Sequence, residues 1–338
     1  MSTLHKIAST FILISLFAIS NSINALSCGD DISSNVTLNQ DLHCTSGYTA
    51  LNVVSNNLTI DLNGHTISGS AALAGISIIG YSNISIKNGS ILDFFAGVNA
   101  SNSNGISINE VTFFKTGFGL SFHQVNNSEV TNNDFIFTRS RAINIYNTQI
   151  GETSSANTIK DNEFYKTNGG IQLCGAGTFK NNLLRNLIWK STDFSIHLIS
   201  SSKNTIDSNE ILDSSLAALR LNYSSNNSIN HNILKRGSTG VTLQADGDTG
   251  ICESTGAISS DNNQFNKNSI IDFDTGMIFG LGNSKSATVS FNTMYSDKIY
   301  DNDLGVRFLN DAWFNDLTKA VFSGNTTNVV DSGTGNSY

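Results

Sequence analysis

The sequence has no proline, little charge and few cysteines, and each shortage narrows what the protein can be. The absence of proline is consistent with strands that run without interruption, because proline removes a ladder hydrogen bond. Charged residues make up only 14% of the 338 residues, and the net charge is −8, so nucleic acid is not an expected partner. Three methionines and six histidines without a cluster argue against a copper carrier.

Long hydrophobic runs are also absent, apart from one near the N-terminus. The run from Phe11 to Ile19 follows Lys6 and is about half of the ~20 residues that a membrane span needs. A polar stretch then ends at Ala25, a small residue suited to cleavage. We therefore predict a signal peptide over residues 1–25, export to the periplasm or the extracellular space, and no membrane span.

The four cysteines show no Cys-x-x-Cys spacing, which disfavours a zinc site. Export permits disulfides, and four cysteines allow three pairings. A bridge between Cys28 and Cys44 would staple the start of the mature chain, and Cys174 and Cys252 would then form the second bridge.

Calcium is the one cofactor that the sequence suggests. The segment with Asp246, Asp248 and Glu253 is similar to half of a calcium loop, whereas a full site needs ~6 to 8 oxygen ligands. A plain turn is the alternative interpretation.

Asparagine recurs with apolar residues in a fixed phrase. Clear copies begin at Asn157, Asn204, Asn227 and Asn263, and weaker copies lie at 130–135, 179–184 and 289–294. The second asparagine of each copy gives the series Asn133, Asn162, Asn182, Asn209, Asn232, Asn268 and Asn292. Intervals of 20 to 36 residues indicate a stacked repeat with loops of unequal length. We expect each Asn to occupy a turn and to hydrogen-bond its counterparts in neighbouring coils.

A second phrase alternates apolar and polar residues, which predicts one half-buried strand per coil. Stacked coils then form a parallel sheet, with the middle residue of each phrase facing solvent. Those middle residues are Ser121, Asn144, Gln172, His197, Arg220 and Thr242.

The N-terminal region adds the phrase Leu58–Ile67, preceded by Cys28-Gly-Asp and by Asp41-Leu-His-Cys44. Together these resemble the first coil of right-handed parallel β-helix proteins of the pectate-lyase-like class. The asparagine repeats resemble the PbH1-type repeats of NosD-like periplasmic proteins and related carbohydrate-active proteins. The resemblance covers residues 28–295 and implies an all-β fold with a single right-handed parallel β-helix.

We place this β-helix at residues 26–322. An N-terminal cap coil is expected at about 28–50 and a C-terminal cap at about 296–322. The polar residues 323–338 are expected to form a flexible tail.

The active-site motifs of this class do not transfer. A chain without proline lacks both the Arg-x-Pro-x-x-Arg motif of pectate lyases and the Asp-Pro-His motif of alginate epimerases. The Gly-His-Gly of polygalacturonases is absent as well. We therefore carry over no catalytic residue from the resemblance.

Charge is distributed unevenly, and this points to a binding groove. Residues 139–236 contain 11 of the 19 lysines and arginines but 7 of the 27 acids, so this stretch is +4 while the remainder is −12. Arginine guanidinium groups bind carboxylates through two hydrogen bonds, and flat aromatic side chains can pack against sugar rings, so these residue types suit an acidic polysaccharide. The predicted substrate-binding residues are Arg139, Arg141, Tyr146, Lys166, Gln172, Trp189, Lys235 and Arg236. The alternative is a solvated polar face with ordinary ion pairs.

Catalytic candidates lie on the same face. His197, Lys190 or Arg220 would take a proton next to a sugar carboxylate, and Asp193 with Asp213 would form a hydrolase pair. We expect a monomeric exported protein that binds an acidic polysaccharide. Whether it also acts as a lyase, epimerase or hydrolase stays open. The alternative is a non-catalytic surface or envelope protein for adhesion or structure.

Overall fold

The computed structural model describes residues 26–45, 49–70, 73–245, 252, 259–281 and 288–338. The expected signal peptide and Asp246, Asp248 and Glu253 of the expected calcium segment lie outside these residues. The described residues contain no helix, and so none that is long and apolar enough to cross a membrane.

The described strands wind into one parallel β-solenoid with three sheets, named I, II and III. Each strand pairs with its equivalent in the next coil, and every pair is parallel. The expectation of a single all-β solenoid is confirmed.

Sheet I contains β1 (Asp30–Ile32), β4 (Leu51–Val53), β7 (Ala74–Ile79), β9 (Ala96–Asn104), β11 (Phe118–Asn126), β14 (Arg141–Tyr146), β17 (Gly169–Cys174), β20 (Ile196–Ile199), β29 (Leu304–Phe308) and β32 (Thr327–Asp331). It also contains the C-terminal parts of β22 (Glu210–Asn222), β24 (Ile233–Gln244) and β26 (Ser269–Phe279).

Sheet II contains β2 (Val36–Thr37), β5 (Leu58–Asp61), β12 (Glu129–Thr131), β15 (Thr158–Lys160), β18 (Asn182–Leu184), β21 (Thr205–Asp207), β23 (Ser228–Asn230) and β25 (Gln264–Asn266). Four longer strands bend from sheet II into sheet III: β8 (Ile84–Leu92), β10 (Ser107–Phe114), β28 (Thr293–Tyr300) and β31 (Asp316–Ser323).

Sheet III is completed by β3 (Leu42–Cys44), β6 (Thr66–Gly69), β13 (Asp134–Ile136), β16 (Glu163–Tyr165), β19 (Leu187–Trp189) and the N-terminal parts of β22, β24 and β26. A separate short pair joins β27 (Val289–Ser290) to β30 (Ala312–Trp313).

Alternation along each strand sends every second side chain into the solenoid. Because coils stack in register, equivalent inward residues lie on top of one another. Phe113, Phe135 and Phe164 stack with ring centroids 4.9 and 4.8 Å apart, close to the ~4.8 Å between neighbouring strands. The core is therefore a set of parallel columns rather than a single cluster.

The corners follow a two-residue rule. The first residue has a positive φ, as at Asp161 and Arg185, and its side chain is exposed. The second residue is buried, and between sheets II and III it is an asparagine in six successive coils, as at Asn162 and Asn186. The left-handed position thus lies one residue before the asparagine predicted for it.

These buried asparagines form two hydrogen-bonded ladders. The first contains Asn133, Asn162, Asn186, Asn209, Asn232, Asn268 and Asp297. The second contains Asn157, Asn181, Asn204, Asn227, Asn263, Asn292, Asn315 and Asn336. The predicted single series was wrong at two places, because Asn182 lies in strand β18 and Asn292 belongs to the second ladder.

The C-terminal residues also differ from the prediction. Residues 296–322 are regular coils, and residues beyond 323 add another, because Thr327–Asp331 pairs with Leu304–Phe308. Asn336 accepts hydrogen bonds from Asn315 at the end of the second ladder. The polar composition of this segment reflects corner and outward positions, and not a flexible tail.

Two disulfides are present, Cys28–Cys44 and Cys174–Cys252. The first joins the N-terminus of the solenoid to strand β3, and the second ties Cys252 to the end of β17 in sheet I. These are the two bridges considered from the sequence.

Candidate functional site

The six polar residues predicted to share one row do so on the outer side of sheet I. Ser121 pairs with Asn144, Gln172 with His197, and Arg220 with Thr242, each one coil apart. Four of the six are nevertheless buried, namely Ser121, Asn144, His197 and Thr242. The expectation that this row faces solvent was therefore wrong for most of its length.

His197 is only 6% exposed and packs against Phe194, with ring centroids 4.8 Å apart. Neither ring nitrogen has a hydrogen-bond partner among the described residues. Burial, followed by the charges of Arg220 and Arg141, holds the pKa of His197 well below its usual value. A general base must come within hydrogen-bond reach of the proton that it takes, and an imidazole that is only 6% exposed offers little surface for this contact.

Arg141 lies across two coils of sheet I. Its guanidinium contacts Asp193 Oδ2 at 2.7 Å and donates to Gln172 Oε1 at 3.0 Å. Gly169 leaves room for it, since a Cβ there would lie 2.5 Å from Arg141 Cδ. The polar groups of three predicted site residues, Arg141, Gln172 and Asp193, are thus hydrogen-bonded or ion-paired with one another and are not free to bind a ligand.

Asp213 and Arg236 form a second closed pair, at 2.6 and 3.2 Å. The hydrogen bond from Arg236 lowers the pKa of Asp213, and Lys190 contributes in the same direction. A glycosidase acid needs the opposite shift. Asp193 and Asp213 are held by different arginines, so the structure does not join them into a pair.

Arg139 is exposed, with its guanidinium 2.9 Å from Asp93. It borders an apolar hollow lined by Phe95, Gly117 and Phe118. Tyr146 lies elsewhere, at the far end of strand β14, where it stacks on His123 at 5.0 Å.

The remaining predicted residues lie on sheet III and on the corner between sheets III and I. The Tyr165 and Trp189 rings are one coil apart, with centroids separated by 4.3 Å. The Lys166 ammonium lies 5.2 Å from the Tyr165 ring, and that of Lys190 lies 5.3 Å from the Trp189 ring. Lys235 continues the same outward row two coils further on.

This surface extends towards the N-terminus through Phe114, Lys115 and Phe137. Lys115 lies 5.1 Å from the Phe114 ring, and Lys166 is also 5.7 Å from that of Phe137. We define the lysine–aromatic strip as Phe114, Lys115, Phe137, Tyr165, Lys166, Trp189 and Lys190. Its three lysines are exposed and make no ion pair with a described residue.

The other side of the strip is acidic. A shallow depression is lined by Asp134, Ile136, Glu163, Tyr165 and Trp189. Asp134 and Glu163 are exposed neighbours in strands β13 and β16. Aromatic rings therefore lie between a row of ammonium groups and a pair of carboxylates.

One polar cluster, centred on Glu152, was not predicted from the sequence. Glu152 accepts hydrogen bonds from Gln124 Nε2 at 2.5 Å and from the Thr148 and Gln149 N–H groups, and it lies 3.0 Å from His123 Nε2. Burial opposes its ionisation, but these hydrogen bonds lower its pKa to about 2. The only signal in the sequence was the long 29-residue interval that contains Glu152.

Metal ligands do not cluster in this part of the chain. No group of three or more His, Cys, Asp or Glu side chains suited to a metal ion occurs among the described residues. The calcium prediction falls on residues outside them.

Comparison with known proteins adds a family match and several structural likenesses. Residues 152–294 match the family model described as the right-handed beta helix region. No curated protein matches the chain significantly in sequence.

Several solved structures are similar over most of this chain. The A-module of the mannuronan C-5 epimerase AlgE6 of Azotobacter vinelandii has a TM-score of 0.63 at 13% identity, covering 90% of this chain and 91% of that chain. The surface adhesin PfbA of Streptococcus pneumoniae has a TM-score of 0.56 at 14% identity, covering 88% and 85%. At such identities the likeness concerns the fold alone. The parallel coils, the family match over residues 152–294 and these likenesses together show that the chain has a right-handed parallel β-helix fold.

Proposed function

We propose that the protein binds an acidic polysaccharide along the lysine–aromatic strip. The observation that carries this proposal is the placement of Lys166 and Lys190 beside the adjacent Tyr165 and Trp189 rings. A sugar can lie along the outer edges of these two rings, whose faces cover one another at a centroid distance of 4.3 Å, while its acidic group meets an ammonium. Ammonium groups near aromatic rings and without a carboxylate partner are available to an anionic ligand.

Exposure favours this strip over the outer face of sheet I. The arginines there are engaged, Arg141 by Asp193 and Gln172, and His197 is enclosed. The lysines of the strip project from left-handed corner positions and are exposed. A ligand therefore meets Lys166 and Lys190 without breaking an existing ion pair.

The similar structures and the disulfides are compatible with this role. One similar protein is an epimerase of a polysaccharide and another is a surface adhesin. The two disulfides support export, because such bonds persist in oxidising compartments.

Binding without catalysis is the form of the proposal that the geometry supports. Asp213 is kept ionised by Arg236, and Asp193 is paired with Arg141. We expect incubation with polygalacturonate and with alginate to release neither unsaturated uronate nor reducing ends. Release of either product would replace binding by lyase or hydrolase activity.

Titration calorimetry with polygalacturonate, with neutral dextran as the comparison, tests the binding. We expect saturable binding of polygalacturonate alone, weakened by salt. Lys166→Ala and Lys190→Ala together, or Trp189→Ala, are expected to weaken it by roughly tenfold or more. Lys180→Ala is the matched control, because Lys180 lies 5.9 Å from the Phe179 ring on another corner.

Two outcomes would contradict the proposal. The first is the absence of polygalacturonate binding by the parent protein. The second is an equal loss in the Lys180→Ala control and in the strip variants. Trp313→Phe leaves Trp189 as the one tryptophan of the chain, so its fluorescence would report directly whether the ligand reaches the strip.

A further inference from the structure

The corner between sheets III and I carries a series of mostly charged residues, one per coil, along the solenoid. In the coils from β8 to β28 one left-handed residue lies there, and we call this series the corner row. In chain order it contains Asp93, Lys115, Phe137, Lys166, Lys190, Asp213, Arg236, Asp272 and Asp301. The cations that make no ion pair with a described residue, Lys115, Lys166 and Lys190, are confined to one part of the row.

Backbone hydrogen bonds fix the register of this part. The N–H groups of Lys115, Phe137, Lys166 and Lys190 donate to carbonyls of the following coil at 3.0 to 3.1 Å. The four residues thus occupy successive coils, about 4.8 Å apart. That step is comparable with the length of one pyranose residue in an extended polysaccharide.

The window formed by these four coils has neutral ends. Asp93 is paired with Arg139 at one end, and Asp213 with Arg236 at the other. Beyond Arg236 the row becomes acidic, with Asp272 and Asp301. Three cations are therefore concentrated within about 15 Å, the separation of four strands, and the charge does not continue in either direction.

The two sides of the aromatic rings differ in chemistry. Lysines lie along one side, whereas Asp134 and Glu163 lie on the other. Carboxylates accept hydrogen bonds from sugar hydroxyls but repel anionic groups. A sugar on the Tyr165 and Trp189 rings would therefore turn its acidic edge to the lysines and its hydroxyl edge to the carboxylates.

We infer that the strip is a four-residue site for a pyranose polymer with one anionic group on every residue, lying parallel to the solenoid axis. This inference rests on the proposed function and specifies its ligand. A polymer with an acidic group on every second residue can at best place its charges beside Lys115 and Lys166, which leaves Lys190 without a charge to neutralise.

Oligogalacturonates of two to eight residues test the length of the site. The affinity is expected to rise steeply up to four residues and then to level off. A continued rise from four to eight residues, once corrected for the number of binding frames, would overturn the four-residue site. Because polymer binding is measured separately, a failure here is distinguishable from a failure of the proposed function.

Charge spacing provides an independent test. Unsulfated chondroitin, with one carboxylate per two sugars, is expected to bind at least roughly tenfold more weakly than polygalacturonate of similar length. Equal affinity would overturn the requirement for a charge on every residue.

A substitution at the vacant cation position completes the test. Phe137→Lys adds a fourth ammonium to the window, and compared with Phe137→Leu, which removes the same ring, it is expected to strengthen tetragalacturonate binding by roughly threefold to tenfold. Phe291→Lys is the matched control, because Phe291 is also an exposed left-handed corner residue, on a different corner. No gain for Phe137→Lys, or the same gain for both variants, would contradict the inference.

Discussion

At the scale of single residues, the corners place ordinary side chains in a conformation that favours glycine or asparagine. Glu110, Lys166 and Arg185 all have φ between 50° and 56°. The left-handed conformation costs an L-residue roughly 1–2 kcal/mol, and asparagine tolerates it better. This conformation is required at the corner because it directs one side chain outward to solvent and the following side chain inward to the core.

Glu110→Asn is therefore expected to raise the free energy of unfolding by about 0.5–1 kcal/mol. Urea denaturation measures the change. Glu210→Asn is the control, since Glu210 is also exposed but begins strand β22 with an ordinary backbone conformation. A gain in the control equal to that of Glu110→Asn would show that the removed charge, and not the backbone, is responsible.

Asp297 ends the first ladder with a carboxylate. Burial raises its pKa to about 6, against the lowering effect of hydrogen bonds from Asn268 and Tyr295. A carboxyl whose pKa is higher in the folded state contributes stability that is full below pH ~4 and is lost as pH rises through ~6. Two pKa units correspond to about 3 kcal/mol.

We expect the free energy of unfolding to fall between pH 4 and pH 7, and this fall to be smaller by about 3 kcal/mol in Asp297→Asn. Urea denaturation at several pH values measures the slope. Asp261 contributes in the same direction, because burial raises its pKa as well. Asp316→Asn is the control, since hydrogen bonds from Thr318 lower the pKa of Asp316 from 3.8, so its titration lies below pH 4 and the slope between pH 4 and pH 7 is expected to stay close to that of the parent protein. An unchanged slope in Asp297→Asn would contradict the prediction.

At the scale of elements, the asparagine ladders hold successive coils in register. Asn209 Oδ1 accepts from both the N–H and Nδ2 of Asn186, and its own Nδ2 donates to Leu183 O and to Asn232. Each buried amide thus satisfies backbone groups as well as its neighbours. Replacing one member leaves several buried polar groups without partners.

Asn209→Ala is expected to cost about 3 kcal/mol or more, because each unsatisfied buried group costs ~1–3 kcal/mol. Asn182→Ala is the matched control. Asn182 was predicted to be a ladder member, but it lies partly exposed in strand β18 without a side-chain hydrogen bond to a described residue. Thermal or urea unfolding of both variants measures the difference, and similar losses would deny the ladder its structural role.

The alternating strands were predictable because the alternation of apolar and polar residues is visible within a few neighbouring residues, and because each coil stacks only on the coils next to it in the chain. The small residue before each phrase of sheet I has a geometric cause, since a Cβ at Gly97 would lie 2.6 Å from Gly119 O in the next coil. Which strand faces open solvent was not predictable. Alternation predicts that His197 points outward, but not that Phe194 packs against it.

At the scale of the whole molecule, each coil contacts only its neighbours, so stability is expected to be local. The Cys28–Cys44 bridge closes 16 residues and is expected to contribute about 3 kcal/mol. Replacing both cysteines by serine should therefore loosen the N-terminal coils alone. Hydrogen exchange is expected to rise at residues 30–60 and to stay unchanged at 200–240. Faster exchange in both regions would contradict nearest-neighbour stability.

The candidate site could be predicted only in part, for the same reason. The sequence located the basic excess at 139–236 and named Lys166, Trp189 and Lys190. It placed them with Arg141 and Arg236, which the structure separates into closed ion pairs. Whether two residues share a face depends on how far each lies from the corner of its own coil. Because the loops differ in length, the spacing of residues in the sequence does not give that distance.

The direction of the amide ladders has a consequence for the size of the molecule. Each asparagine inside a ladder donates to an acceptor in the coil that follows, so a coil added or removed within a ladder leaves its neighbours with the same kind of bond. Asp297 is different, because a carboxylate accepts from Asn268 and has no proton to pass on. The number of coils in that ladder is thus set by the residue that closes it, and the length of such a protein can drift through evolution in whole turns.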